Sequence, residues 1–252
     1  MLTKNNTKFI KSLQLKKFRQ KEELFIVEGA KNTLELLNSS YKLKYLIVSE
    51  AFLNKFSSEI ESAKIKPIIV KEKELSALGS FKTNTDALAV AHEMEYPTYK
   101  SKGFDLVLDD IRDPGNLGTI IRLADWYGIQ NLICSETTAE FYNPKVISAS
   151  MGSFFRINLY RTNLTKFLSE NKSRKIYGAL LEGENVHKVE FAKDGLLLIG
   201  NESHGINSDL IPLISDKITI PRIGEAESLN AAMATAIICD NVFKTPDILL
   251  VF

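Results

Sequence analysis

Apolar residues along this chain fall into short runs bounded by polar turns, and those runs alternate with stretches whose apolar positions recur at helical spacing. Leu24–Val27 reads as a strand ending in Glu28-Gly29, followed by a helix through Leu37. Strand Tyr45–Ser49, helix Ala51–Ala63, strand Pro67–Val70, helix Lys71–Leu78 and strand Leu88–His92 continue the alternation. Ahead of them, Phe9, Ile10, Leu13 and Phe18 at helical spacing predict a solvated surface helix with one apolar stripe; the sharper alternative is a docked helix whose lysines meet phosphates. From Glu93 to Gly103 the periodicity lapses into a linker. A second series follows: strand Phe104–Leu108, helix Asn116–Tyr127, strand Asn131–Ser135, helix Asn143–Met151, strand Phe154–Tyr160, helix Leu164–Asn171 and strand Lys175–Leu181. It closes with strand Gly195–Gly200, a short helix at Asp209–Ile214, strand Lys217–Ile220 and a helix from Ser228 to Phe243. The pattern predicts an α/β protein: a smaller domain over 1–92, a linker at 93–103, and a domain over 104–252 built on a mostly parallel sheet with helices on both faces. The apolar end, Ile248–Phe252, is expected to pack against the rest.

Composition adds limits. Of 252 residues, 44% are hydrophobic and 25% charged, as in ordinary soluble globular proteins. The net charge of +1 hides an uneven distribution, because Lys4, Lys8, Lys11, Lys16, Lys17, Arg19 and Lys21 all precede the first acid, Glu22. Cys134 and Cys239 sit in apolar surroundings without a CxxC pair or a Cys/His cluster, so buried reduced thiols are expected rather than a zinc site or a disulfide. Neither a basic-then-apolar leader nor a run of membrane-spanning length is present, and a cytoplasmic protein without membrane partners is expected.

The candidate chemistry gathers where two strands end. Leu196–Ile199 runs into Gly200-Asn201-Glu202-Ser203-His204-Gly205-Ile206, and Lys217–Ile220 runs into a polar turn that delivers Ser228-Leu229-Asn230 to the last helix. Open α/β sheets bind ligands outside the carboxyl ends of their strands, which places the active site there. The loop Asp113–Gly118 lacks both the GxGxxG spacing and a following Gly-Lys-Ser/Thr, which excludes the dinucleotide fingerprint and the P-loop. Arg122, within Ile120–Ala124, is either a snorkelling surface residue or a guanidinium aimed at a phosphate. Glu202 is a loop acid between glycines, either simply solvated or set where the glycines let backbone approach a ligand. His204 is a loop histidine for which the sequence supplies no partner, and no Ser/His/Asp or Cys/His set is visible. Ser228 suits a helix cap, while Asn230 sits where an amide is out of place unless something bonds to it. The helix Ala231–Ile238 is apolar nearly all round, which suits burial on several sides or a dimer contact.

Three pieces occur in order: Asn116-x-Gly118-x-x-x-Arg122, Gly200-x-Glu202-x-x-Gly205-Ile206, and Ile220-Pro221 through Gly224 to Ser228-Leu229-Asn230. Together they resemble the three signature motifs of the SpoU-type (TrmH-like) RNA ribose 2′-O-methyltransferases of the SPOUT superfamily, over residues 104–243. The N-terminal region resembles that family's substrate-binding domain of ribosomal-protein type, most clearly at Phe25-Ile26-Val27-Glu28-Gly29; Gly79–Thr85 departs from the family pattern. The resemblance implies a C-terminal α/β domain tied in a trefoil knot. It implies S-adenosyl-L-methionine held by Gly200, Ile220 and Leu229, with Asn201, Glu202, Gly205 and Ile206 beside them, and no metal. It also implies a homodimer, formed through the last helix and the Asn116–Tyr127 helix, acting on RNA. The added N-terminal domain favours ribosomal RNA over transfer RNA. Arg122 is expected to bind a phosphate and stabilise the developing alkoxide rather than act as a base, since an arginine pKa of roughly 12.5 or more makes a poor proton acceptor. Glu202, Ser228 and Asn230 are expected to orient the arginine or the ribose, and Asn116 to hold the loop or the arginine. The rival readings are a transfer-RNA 2′-O-methyltransferase, a non-catalytic RNA-binding protein that keeps the knot, and a small-molecule methyltransferase, which leaves the first domain without a role.

Overall fold

The computed structural model describes residues 2–81, 83–101 and 103–244, so the expectation for Ile248–Phe252 lies outside the described residues. The chain divides into two compact units, Met1–Pro97 with Glu140–Arg156, and Thr98–Ala139 with Ile157–Phe252. Residues 140–156 therefore pack within the first unit although their sequence lies inside the second.

In the first unit, β1 (Leu24–Glu28), β2 (Leu43–Val48), β3 (Ile68–Ile69) and β4 (Ala87–His92) form one sheet in the order β1-β4-β2-β3. β4 runs antiparallel to both β1 and β2, and β3 runs parallel to β2. Every residue of β1 is buried, so both of its faces are covered, and alternation sorts them. Leu24 and Ile26 join the core made by Ile10, Leu13, Ile47, Leu75, Leu78, Leu88 and Val90. Phe25 points the other way, against Tyr142 at 4.7 Å and Phe154 at 6.1 Å between ring centroids.

The basic opening segment is two helices rather than one, α1 (Lys4–Ser12) and α2 (Lys16–Glu22). Its apolar stripe belongs to the core, since Ile10 and Leu13 are fully buried. Arg19 accounts for the break: its guanidinium donates to the carbonyls of Leu13 and Gln14 at 2.8 Å and pairs with Glu140, so the chain between the helices wraps around a buried cation. The six lysines of the segment stay exposed. The helix expected over Ala51–Ala63 is likewise two, α4 (Glu50–Lys55) and α5 (Ser57–Ser62), separated at Phe56, whose backbone leaves the helical region. α3 (Ala30–Leu37) and α6 (Glu72–Leu78) complete the unit, together with α8 (Pro144–Ser150). Phe154 does not open a strand as its apolar neighbours suggested. Met151 and Gly152, at φ +52° and +97°, turn the chain after α8 and set Phe154 in a 3-10 turn, Ser153–Arg156, where its ring fills the aromatic core.

The second unit holds β5 (Asp105–Leu108), β6 (Asn131–Cys134), β7 (Asn158–Arg161), β8 (Lys175–Asn185), β9 (Gly195–Ile199) and β10 (Asp216–Thr219). They form a wholly parallel sheet in the order β10-β8-β9-β5-β6-β7. The chain moves outward from β5 to β7 on one side and then returns to build the other, so β5 and β9 flank the point where the winding reverses. α7 (Pro114–Trp126), α9 (Leu164–Glu170) and α10 (Ala231–Val242) accompany the sheet, and α10 packs on α7. At the amino ends of the strands, buried Arg174 binds Asp105 at 2.9 Å and donates to the carbonyl of Gly195 at 2.9 Å, while Asn131 donates to the other oxygen of Asp105. This tie fixes one end of the sheet and leaves the loops at the opposite end to carry chemistry. Cys134 and Cys239 are buried free thiols, each pushed up to about 12 by burial. Among the described residues no helix is long and apolar enough to cross a membrane, and no group of His, Cys, Asp and Glu could hold a metal ion.

The first unit carries a measurable pH dependence. Glu93 is raised to about 7, first by burial and then by the charges of Glu140 and Glu23, which outweigh Arg19. A folded-state value above the unfolded one means that native protein holds an extra proton, so stability is lost as pH rises from about 4.5 through about 7. Glu93→Gln removes that loss. Urea unfolding is expected to show it more stable than the parent at pH 8 by about 1–2 kcal/mol, after discounting for partial exposure, and nearly equal at pH 4.5.

Candidate active site

Three loops leave the carboxyl ends of β5, β9 and β10. Residues Leu108 and Ile199 are register partners, so the loops after β5 and β9 begin at the same level of the sheet. The backbone N–H of Asp109 donates to the carbonyl of Ile199 at 2.9 Å and extends the pairing by one residue. Beyond it, the carboxylate of Asp109 accepts the N–H of Asn207 at 2.7 Å. Burial, with some help from the charge of Asp110, raises the Asp109 carboxyl above its usual range, against the pull of that N–H.

Asp110 is the junction between the two loops. It adopts φ +58°, and its N–H donates to Ser135 Oγ at 2.8 Å. Asn201 Nδ2 donates to its carbonyl at 2.8 Å, Arg112 Nε to its Oδ1 at 2.9 Å, and His204 Nε2 lies 3.4 Å from its Oδ2. Burial alone pushes this carboxyl up, but the hydrogen bonds from Arg112, Thr137 and His204 outweigh it and hold the group below the ordinary aspartate range. The loop after β9 is closed on itself by two backbone bonds between Asn201 and Gly205, each 2.9 Å. That closure dictates both glycines. Gly205 sits at φ +69°, and a Cβ on Gly200 would lie 2.2 Å from the carbonyl carbon of Gly205.

A second chain of contacts joins all three loops. It starts at the head of α7, which is capped by Asp113, whose Oδ1 accepts the N–H of Asn116 at 2.8 Å. The Asn116 side chain donates through Nδ2 to Glu202 and accepts through Oδ1 from Asn230 at 2.9 Å. Asn230 then caps α10, its Oδ1 accepting the N–H groups of Ala232 at 3.0 Å and Met233 at 3.3 Å. This explains the amide that looked out of place in the sequence. It also corrects the start of the last helix, which begins at Ala231, with Ser228 and Leu229 in the preceding loop.

A cavity of 1420 Å³ lies against the loops after β9 and β10. Its walls include Gly200, Asn201, Glu202, Gly205, Ile206, Ile220, Ser228 and Leu229, together with β8 residues from Ala179 to Gly183 that sequence reasoning had not singled out. β8 is longer than expected because a register slip lets Glu184 and Asn185 pair with Ile218 and Thr219. Gly183 permits that slip, since a Cβ there would lie 2.7 Å from the Lys217 backbone.

Arg122 stands apart from this arrangement. It is exposed, with no hydrogen bond or ion pair among the described residues, and it does not line the cavity. Six residues along α7 from Asn116 place it roughly 9 Å further along the axis and about 120° around it. Asn116 therefore holds Glu202 and Asn230 rather than the arginine. Ser228 is exposed and makes no hydrogen bond among the described residues. Asp110, which is the partner of His204, and Arg112 are not singled out by the sequence; the signal available was their position just after a predicted strand.

The same two-part chain recurs in known proteins. Residues 103–240 match the model of the SpoU rRNA Methylase family, and residues 4–89 match the MRM3-like substrate binding domain. The chain is 32% identical to the 23S rRNA (guanosine(2553)-2'-O)-methyltransferase RlmP of Bacillus subtilis, covering 90% of this chain and 92% of that one. A solved structure described as a putative RNA methyltransferase of the TrmH family from Porphyromonas gingivalis matches with a TM-score of 0.83 and 31% identity, over 96% of this chain and 98% of that one. The AdoMet-bound rRNA methyltransferase from Sinorhizobium meliloti matches with a TM-score of 0.84 and 27% identity, over 96% of both chains.

The Glu202–Asn116–Asn230 chain is open to a direct test. Asn116→Asp keeps an acceptor for Asn230 but sets a carboxylate against Glu202, whereas Asn116→Ala merely opens both links. The aspartate variant is expected to be the less stable of the two at pH 8, by about 1–2 kcal/mol. Repulsion raises the pair's folded-state pKa values, so that penalty disappears as pH falls and one carboxyl takes up a proton. Chemical denaturation at pH 8 and pH 4.5 measures both effects.

Proposed function

The chain belongs to the SpoU rRNA methylase family, and from that premise we propose that it methylates a ribose 2′-hydroxyl of ribosomal RNA with S-adenosyl-L-methionine. The observation that carries the reading is that the second and third motifs line one cavity while Asn116 of the first is bonded to both, through Glu202 and Asn230. Its walls suit the methyl donor. Gly200, Ile206, Ile220 and Leu229 offer apolar surface and backbone rather than a phosphate cradle, and Gly200 has no room for a side chain. Leu181 and Ile223, also on the walls, are strongly exposed apolar residues that a flat base would cover. Gly200, Ile220 and Leu229, with Asn201, Glu202, Gly205 and Ile206 adjoining, would hold the group. When bound, it supplies an already activated methyl, leaving the protein to place the hydroxyl and manage its proton.

In this reading Glu202, fixed through Asn116 and Asn230, orients the ribose, and exposed Ser228 is free to join it. Arg122 grips the neighbouring phosphate and stabilises the developing alkoxide. It leaves α7 on a different face from Asn116, beside exposed Trp126, while Met233 is exposed on α10. That apolar strip supports a homodimer in which α7 and α10 meet a second copy and Arg122 serves the partner's cavity. The first unit binds the RNA, its exposed lysines at 4, 8, 11, 16, 17 and 21 meeting phosphates. The reading places the protein in the cytoplasm, with no resident metal.

Methyl transfer from radiolabelled S-adenosyl-L-methionine into unmodified ribosomal RNA and, separately, transfer RNA tests the reading, with nuclease digestion to locate the label. Ribose label in ribosomal RNA is expected. Arg122→Ala is expected to lower the rate about 100- to 1000-fold, and Arg122→Lys more than about 10-fold, because an ammonium lacks the fork geometry. Label in transfer RNA alone selects the rival substrate, and no transfer despite binding of both ligands selects a non-catalytic binding protein.

A further inference from the structure

We propose that His204, held in place by Asp110, accepts the proton of the ribose 2′-hydroxyl, an inference that rests on the methyl-transfer reading above. The step balances simply. A lone pair of the 2′-oxygen forms the new O–CH₃ bond as the carbon–sulfur bond breaks. The bonding pair stays on sulfur, which becomes a neutral thioether, and the hydroxyl proton passes to imidazole Nδ1.

Few groups on the cavity wall can take that proton near neutral pH. Lys217 and Arg222 are cations by type and have no proton-accepting lone pair there. Glu202 is committed to Asn116 through one oxygen. Glu182 on β8 and Glu227 in the loop after β10 also line the wall, but no hydrogen bond among the described residues orients either. Histidine is the residue type best matched to proton transfer in this range. His204 lies on the cavity wall, and its side chain is 63% exposed whereas that of Asp110 is 14% exposed, so the carboxylate lies beneath and the ring faces outward. The contact uses Nε2, at 3.4 Å from Asp110 Oδ2. Nδ1 has no partner among the described residues.

The support is rigid on both sides. The paired Asn201–Gly205 bonds close the five-residue loop that carries the ring. Asp110 is fixed by Ser135 and Asn201; its Oδ1 takes Arg112, and its Oδ2 is shared by His204 and by Asn201 Nδ2 at 3.3 Å. A carboxylate arranged this way selects the tautomer with hydrogen on Nε2 and favours the imidazolium once formed. Asp110, Arg112 and Asp109 are the charged groups facing the ring from the β5 loop, Glu202 shares its own loop, and Asp109 feels its charge. Only neutral imidazole accepts a proton, so the rate is expected to rise with pH and then level off.

Two readouts test this. The first needs neither RNA nor methyl donor: two-bond ¹⁵N–¹H correlation spectra of the labelled protein report which ring nitrogen carries hydrogen. The chain has three histidines, and the spectrum of His204→Gln assigns the signal. The Nε2–H tautomer is expected, and a predominant Nδ1–H tautomer overturns the proposal. The second is single-turnover methyl transfer from about pH 5.5 to about pH 9. His204→Gln is expected to react about 100-fold more slowly and to lose the rising limb, with donor affinity by calorimetry held within about threefold. Added imidazole is expected to restore part of the rate of His204→Ala. A rate within about twofold of wild type with the same pH profile overturns the proposal, as does a rate that falls on deprotonation of the ring. Wild-type protein that transfers no methyl to any RNA instead overturns the methyl-transfer reading, and this inference with it.

Discussion

Pairing of β5 with β9 is the constraint on which the second unit depends. The two strands are far apart in sequence, yet their register brings Leu108 level with Ile199. Whatever follows each strand must therefore share one small space. Parallel strands cannot be joined by tight turns, so each strand end is free to become a functional loop instead of a hairpin. The cavity opens beside that junction, between the end of β8, the loop after β9 and the loop after β10, and the slip that lets β8 overhang supplies one of its walls.

Packing so many polar groups at that edge is costly unless each finds a partner. The structure meets the cost through side-chain bonds to backbone. Asp109 takes an N–H from the β9 loop, Asn201 reaches the carbonyl of Asp110, and Asn230 closes the first turn of α10. Each of these ties one loop to another or to a helix start. Preorganisation of this kind is what a site needs when its reactant is already activated and only geometry remains to be supplied. The opposite end of the sheet follows the same logic with no opening for chemistry: Arg174 spends its donors on Asp105, Asp194 and two carbonyls, and is itself buried.

How much was legible in the sequence follows from which forces are local. Strand and helix identities were readable because the apolar runs have the right lengths and periods, and the three motifs stood at readable spacings. The errors fall where a tertiary contact overrode a local pattern. Phe154 continues an apolar run but is drawn into the aromatic cluster around Phe25, so the strand starts later. Arg19 looked like one more surface cation, and only the carbonyls that converge on it make it a core residue. At the site, the motif residues could be named but not wired. Asn116 was expected to hold either the loop or Arg122; it bonds Glu202 and Asn230, and the helix phase separates it from the arginine.

His204 illustrates the limit most sharply. In sequence it is a polar residue in a glycine-bounded loop, with no carboxylate near it except Glu202, two positions away. Its partner arrives from the other side of the β5–β9 pairing, through a backbone conformation at φ +58° that no pattern announces. The consequence is a division of labour that the motif residues alone do not supply. An arginine is permanently cationic and can stabilise an alkoxide, but it cannot carry away a proton at neutral pH. An imidazole can, and a half-buried carboxylate beside it both orients the ring and stabilises the charge it gains. Placing the anion-stabilising cation on a helix and the proton acceptor on a loop keeps the two demands from competing for one side chain.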